Sequence, residues 1–311
     1  MRALLIINPR ATSISGRVVG RVAQELGSSL ELDTTQTRYR GHARELAATA
    51  GGYDLLVPLG GDGTVNEVVN GLMERKESRP ALAPVPGGGA NVFARTLGLP
   101  ADPVGAARQI SAAVRAGLTR TIGLGLAMSG TGDRHFMFSA GLGVDAEVVA
   151  DMERIRASGQ KESAPLFVWT GLRRYYTGTD RRNPALTLEP DGYPTEAGLF
   201  MGIVTNSAPW TYLGDRPVRS APRSDLRSGL DVFALRHLRT LSTLMALGQM
   251  MRTDPQPVSG KDLVTAVGLP GLVFQASRPV AFHIDGEYLG ETEKVAFRHL
   301  PAAMRVIALP M

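Results

Sequence analysis

No cysteine occurs among the 311 residues, which excludes disulfide staples, thiolate metal sites and a cysteine nucleophile, and fits a reducing compartment. Long hydrophobic runs are missing too. The most apolar stretch, "LSTLMALGQMM" at 241–251, is too short to cross about 30 Å of hydrocarbon. The opening "MRALLIINPR" lacks the apolar length of a secretion signal, so a cytoplasmic protein is expected. There is no repeat of solenoid length and no low-complexity tract. The five histidines, His42, His135, His237, His283 and His299, show no metal-ligand spacing, and His42 reads as a helix-start residue.

What is present suits a globular chain. Apolar residues make up 43% and charged residues 20%, enough core material to argue against disorder. A chain of 311 residues exceeds what one hydrophobic core usually serves, so two domains are expected. The formal charge of +5 comes from 34 basic and 29 acidic residues. That balance suits an anionic partner, whether nucleotide, nucleic acid or acidic lipid surface, and selects none of them.

Over the first ~125 residues strand-like and helix-like periods alternate. "ALLIIN" (3–8), "LELDTTQT" (30–37), "DLLVPLG" (54–60) and "ALAPVP" (81–86) read as strands. Residues 14–26, 41–50, 64–73, 91–97 and 104–116 read as helices. That order predicts βαβ units and a parallel sheet, whose ligands collect at the carboxyl ends of the strands. Beyond about residue 128 glycine and proline punctuate short β-rich runs, among them "HFMFSAGLGVDAEVV", "GLFMGIVTN" and "VAFHIDGEYLG". Helical stretches are expected near 163–176 and 240–252. The second half therefore predicts an antiparallel sandwich, with no linker long enough for independent motion.

The most informative segment is "VPLGGDGTVNEVVNGL" at 57–72. Its glycines permit positive φ or close backbone approach, and the turn opens a helix whose first amides lack intrahelical partners. An ordinary strand-to-helix turn with a capping aspartate needs one glycine at most. Three glycines around Asp62 point instead to a phosphate cradle. A carboxylate beside phosphates is repulsive unless a cation or a transferable proton lies between them. Asp62 is therefore expected to help hold Mg²⁺ or to accept a proton from an attacking hydroxyl.

"GGDGTVNEVVNGL" resembles the nucleotide-binding motif of diacylglycerol kinase catalytic domains, a lipid kinase family that includes sphingosine kinases and bacterial homologues. GGDGT alone is shared with NAD kinases and phosphofructokinases; the continuation "VNEVVNGL" is the lipid kinase signature. "NPRATSISG", "TRYRGHARELA", "PGGGANVFARTLGLP" and "HIDGEYLG" match further family segments in order, over nearly the whole chain.

The resemblance implies a Rossmann-like parallel α/β nucleotide domain over residues 1–128 and an antiparallel β-sandwich lipid-side domain over 129–311, with the last strand (302–310) returning to the first domain. Its active site would lie in one cleft, Asp62 and Asp285 on opposite walls. By position, the ATP contacts would be Asn8, Pro9, Arg10, Ala11, Thr12, Thr37, Gly60, Gly61, Asp62, Gly63, Thr64, Val65, Asn66, Glu67, Gly88, Gly89 and Asn91. Asp62, Asp285 and Glu287 would form the acidic catalytic set, with Asp62 also serving the ATP-bound Mg²⁺.

Each has a simpler rival. Thr37 alone reads as a loop or cap residue, Glu67 as a solvated helix residue, and Asp285-Gly286 as a hairpin turn.

The implied activity is ATP-dependent phosphorylation of a lipid hydroxyl, nominally diacylglycerol to phosphatidic acid. A sphingoid or other lipid alcohol, an NAD kinase-like or phosphofructokinase-like substrate, and a nucleotide-binding regulator without catalysis stay open. Two departures from the family pattern bear on this. Val92 stands where many bacterial relatives carry an aspartate, and Ser228 replaces the second aspartate of a structural Mg²⁺ segment in which Asp225 is kept. That structural metal is not expected here. Transient contact with the inner membrane surface is expected through the arginines near 173–182 and 216–227, with Trp210 and Tyr212 between them serving the interface or the core. No nucleic-acid partner is expected, and a homodimer stays open.

Overall fold

The protein is described by a computed structural model covering residues 1–76, 78–158, 164–178, 180–254 and 256–307. It divides into two compact units: Met1–Ile122 with the chain from Ala302 onward, and Gly123–Pro301.

In the first unit, strands β1 (Arg2–Ile7), β2 (Glu31–Gln36), β3 (Leu55–Gly60), β4 (Ala81–Leu82) and β5 (Val85–Pro86) alternate with helices. These are α1 (Gly16–Gly27), α2 (His42–Thr49), α3 (Asp62–Glu74), α4 (Val92–Thr96) and α5 (Pro103–Arg115). The sheet is parallel in the order β2-β1-β3-β4, and the chain's last strand pairs beside β4 through Val306 and Leu82. β3 is buried along its whole length, as a strand covered on both faces must be. The chain leaves β1 toward β2 on one side and toward β3 on the other, so the sheet's switch point lies between the carboxyl ends of β1 and β3. The run 81–86 predicted as one strand is two short ones, because Pro84 has no amide for the ladder.

Helices α2 and α3 pack closely because of one residue. A Cβ on Gly71 would fall within the Arg44 carbonyl oxygen, and within 2.9 Å of the Ala47 methyl and 3.0 Å of the Ala48 amide.

The second unit is antiparallel. Its strands are β6 (Thr119–Ser129), β7 (Gly132–Phe136), β8 (Ser139–Gly143), β9 (Leu186–Pro190), β10 (Glu196–Leu199), β11 (Met201–Thr205), β12 (Thr211–Leu213), β13 (Arg216–Val218), β14 (Leu230–Leu235), β15 (Leu263–Leu269), β16 (Gly271–Ile284) and β17 (Glu287–Ile307), of which β6 starts and β17 ends in the first unit. Three helices, α6 (Val144–Ala157), α7 (Ala164–Thr177) and α8 (Thr240–Met250), complete it. β16 and β17 form a long hairpin whose register shifts between Gln275 and Val280. One half of β16 pairs with β9 and the other with β8, so the hairpin is shared by two antiparallel layers. A common core of Phe136, Leu142, Val204, Phe274, Phe282 and Phe297 lies between them.

Residues from Val144 onward were predicted as β-rich, but they form α6. The strand stops at Gly143, whose φ of 74° breaks it, and the β-branched pair Val148-Val149 misled the reading.

Gly71→Ala is expected to destabilise the first unit by about 2–3 kcal/mol through overpacking against α2. A shift of the urea unfolding midpoint measures it, and unchanged stability would mean that α2 yields freely.

Candidate functional site

Asn8 and Thr37 follow β1 and β2, and Gly60 ends β3, at one level. Ile7 pairs with both Gln36 and Leu59, and Gly60 pairs in turn with Pro86 of β5. This row is the carboxyl edge at the switch point. The Asn8 side-chain amide donates to the Thr64 hydroxyl at 2.9 Å, and its carbonyl oxygen accepts from the Arg10 amide at 3.0 Å. The loop of Pro9, Arg10, Ala11 and Thr12 is thereby tied to the start of α3. It is closed against the second glycine turn by the Ser13 amide, which donates to the Gly87 carbonyl at 3.0 Å.

None of the glycines at 60, 61 and 63 has a positive φ, which corrects half of the expectation for this turn. Their reason is close approach. A Cβ on Gly60 would lie 2.6 Å from the Thr64 hydroxyl, and one on Gly88 only 2.7 Å from the Cα of Gly61. The two glycine turns touch backbone to backbone. Asn91, at φ 47°, accepts from the Gly88 amide and donates to the Gly88 carbonyl, both at 2.8 Å, so the 88–91 turn is clipped shut by its own side chain.

Asp62 joins these turns. It is the first residue of α3, yet its carboxylate does not cap that helix. One oxygen accepts from the Val92 amide at 3.0 Å and the other from the Phe93 amide at 3.1 Å. A negative charge is thus held at the start of α4, satisfying two of its first-turn donors. Val92 itself is buried, so its side chain faces the interior.

The rest of the signature serves packing. Val65 and Asn66 are buried, and Asn66 accepts from the Asn70 side chain at 2.9 and 3.1 Å. The Glu67 carboxylate accepts from the Gly41 amide at 2.8 Å and the Ala43 amide at 3.1 Å, fixing the segment that follows Thr37 and opens α2. His42 is the first residue of α2, and its Nδ1 accepts from the Arg38 amide at 3.1 Å.

In the second unit, Asp285 and Gly286, with φ of 47° and 76°, form the two-residue turn between β16 and β17. The side chain of Asp285 is buried. It accepts from the Met137 amide at 2.9 Å, Phe138 at 3.0 Å and Ser139 at 3.1 Å. Asn206 holds the same corner from its carbonyl side, donating to Met137 at 2.9 Å. Glu287 forms an ion pair with Arg134.

Sequence reading missed a neighbour of this cluster. His283 Nε2 and the Asp145 carboxylate lie 2.7 Å apart, both nearly fully buried. A side chain on Gly141 would collide with both, and that glycine was the available signal. Asp225 accepts from the Arg227 amide within its own turn, and the Ser228 hydroxyl donates back to the Asp225 carbonyl. Burial pushes the Asp231 carboxyl above the ordinary carboxylate range. Among the described residues no three His, Asp or Glu side chains are placed to hold a metal.

The family described as diacylglycerol kinase catalytic domain matches residues 2–127, the segment that carries both glycine turns. Over that segment the chain is similar to the diacylglycerol kinase catalytic domain family. It is similar along most of its length to "Probable lipid kinase YegS-like" of Chromohalobacter salexigens, with 29% identity over 91% of this chain and 86% of that one. It is also similar to the diacylglycerol kinase of Bacillus subtilis, with 28% identity over 93% and 90%. A crystal structure of a diacylglycerol kinase from Bacillus anthracis shares the fold, with a TM-score of 0.72 at 21% identity, covering 99% of this chain and 97% of that one.

The start of α3 leaves room for an anion such as a nucleotide's phosphates. The start of α3 carries Gly61 at its cap with no side-chain acceptor, and a Cβ on Gly63 would meet nothing within 4 Å. Open space thus lies against first-turn amides.

Gly63→Ala consequently separates ligand from scaffold. Stability is expected to hold or rise by about 0.5–1 kcal/mol, since alanine is the better helix former. ATP affinity, measured by calorimetry, is expected to fall about tenfold or more as the methyl enters the phosphate space. Unchanged affinity would place the phosphates elsewhere.

Proposed function

We propose that this protein is an ATP-dependent lipid kinase that transfers the γ-phosphate to a lipid hydroxyl, with diacylglycerol as acceptor and phosphatidic acid as product. The carrying observation is the pair of touching glycine turns at the switch point, joined by Asp62 at the open start of α3. The names of the two full-length relatives support the lipid acceptor.

In this reading the phosphates lie along the amides of Gly61 to Thr64, and Gly88 to Asn91 form the facing wall. Asn8, the loop through Thr12 and Thr37 complete the nucleotide edge. Val65, Asn66 and Glu67 act from behind, by fixing α3 and the opening of α2. Mg²⁺, when bound with ATP, would neutralise charge developing on the transferred group, with Asp62 as its protein-side carboxylate. Asp62, Asp285 and Glu287 form the acidic set, of which one carboxylate accepts the proton that leaves the acceptor hydroxyl. The backbone amides on Asp62 and Asp285 hold two of these charges at fixed points, so they need no reorganisation during transfer. Glu287 is held by a side chain, Arg134. A lipid acceptor also implies transient contact with a membrane surface; among the described residues no helix is long and apolar enough to cross one.

A second reading, nucleotide binding without transfer, rests on those same amide bonds, which engage both oxygens of Asp62 and of Asp285.

The deciding experiment incubates the protein with labelled ATP and a total lipid extract. Labelled phosphatidic acid is the expected product. A labelled sphingoid or polyprenol phosphate would replace the acceptor, and ATP binding with no labelled lipid would favour the second reading. Glu287→Gln is expected to lower transfer by about 10²-fold or more while leaving ATP affinity within about twofold. Full turnover in that variant would remove Glu287 from the chemistry.

A further inference from the structure

α8 is built with its large apolar side chains outward. None of its 11 residues is charged, and Leu241, Leu244 and Met245 are 68%, 50% and 58% exposed. These positions and Gly248 follow the i, i+3, i+4, i+7 spacing of a single face. The inward side is narrower: Ala246 and Met250 are buried in the core, and Ser242 donates to the carboxylate of Asp262. A helix that only covered a core would present the opposite arrangement.

α7 adds a second exposed face. Trp169, Arg173 and Tyr176 lie at i, i+4 and i+7, all exposed. The two faces adjoin, because the Tyr176 hydroxyl donates to the Thr240 hydroxyl at 3.4 Å at the start of α8. Arg181 reinforces the junction by donating to the Leu238 carbonyl and lying 5.7 Å from the Tyr176 ring centre.

The flanks of α8 are cationic. Arg239, Arg252 and Lys261 are exposed, against one exposed carboxylate, Asp254, in the described flanking segments. Arg239 even occupies the helix's N-cap, where a cation opposes the macrodipole and makes no capping bond. The Ser242 hydrogen bond and the Arg239 charge together hold the buried Asp262 carboxyl below the usual carboxylate range, while the Arg239 side chain stays exposed. Trp210, singled out in the sequence for such a role, packs instead against the buried cluster of Phe200, Ile203 and Phe233. Arg174 is likewise committed, donating to Asp151 at 2.8 and 2.9 Å.

We infer that the joined faces of α7 and α8 are an insertion surface for an anionic lipid bilayer. Leu241, Leu244 and Met245 enter the acyl boundary, Trp169 and Tyr176 sit at headgroup level, and Arg173 and Arg239 meet lipid phosphates. This deepens the lipid-kinase reading and rests on it. A second copy of the chain is the poorer occupant, since a twofold contact would set the cationic rim against itself.

The test uses vesicle binding without ATP, so that it does not depend on turnover. The chain has two tryptophans, and Trp210→Phe leaves Trp169 as the single reporter. Its emission is expected to shift to the blue with phosphatidylcholine vesicles containing phosphatidylglycerol, and much less with phosphatidylcholine alone. Leu244→Glu is expected to weaken co-sedimentation with the anionic vesicles about tenfold or more. Activity on detergent-dispersed short-chain diacylglycerol is expected to stay within about twofold, which also reports that the variant folds. Equal vesicle binding by Leu244→Glu and the unaltered protein would overturn the proposal. So would a Trp169 emission blind to anionic vesicles, or a dimer that Leu244→Glu breaks without changing vesicle binding. Loss of vesicle binding in Leu244→Glu, in a protein that phosphorylates no lipid, would uphold the surface while the lipid-kinase reading fell.

Discussion

The backbone contact between Gly61 and Gly88 is the constraint on which the first unit's site depends. Two turns from different strands come close enough that a methyl group on Gly88 would lie 2.7 Å from the Cα of Gly61. Neither turn could hold that approach alone. The Gly87 amide donates to the Gly60 carbonyl at 2.8 Å, Asn91 closes its own turn, and Asp62 reaches across to the first amides of α4. The aspartate in the glycine turn thus does something local reasoning could not supply: it caps a helix thirty residues further along the chain. Its charge stays at the rim of the cradle because the amides fix it there, which is where a nucleotide-bound cation would need it.

The same economy recurs in the second unit. Asp285 occupies a hairpin turn, and the turn's left-handed backbone aims its carboxylate at three successive amides. The bland reading and the functional reading of Asp-Gly are therefore compatible. The turn shape delivers the buried carboxylate, and Asn206 holds the opposing carbonyl. The nearby His283–Asp145 pair shows how tightly this interior is packed with polar groups, since it fits only because residue 141 has no side chain.

The parallel unit was legible because helix and strand periods differ and because β1 and β3 are short apolar runs, buried as their composition demands. The two glycine turns were legible from glycine spacing, although the reason for the glycines was not. Close approach between turns is a tertiary fact, and no local pattern separates it from a need for positive φ. Glu67 and Gly71 were read as part of a motif, while their work, fastening α2 through the Gly41 and Ala43 amides and admitting the Arg44 backbone, depends on a partner helix. α6 was hidden by β-branched residues. The outward leucines of α8 were visible in the sequence as an apolar run, but only burial distinguishes a core helix from an exposed one.

The central claim is that Asp62 binds the two glycine turns into one nucleotide cradle. Calorimetric titration of ATP with Mg²⁺ into Asp62→Ala, without any lipid present, tests it most directly. The account expects the dissociation constant to rise about tenfold or more, because the start of α4 loses both acceptors and the metal loses a carboxylate. An affinity equal to that of the unaltered protein would contradict it, leaving Asp62 a helix cap with no part in holding the nucleotide.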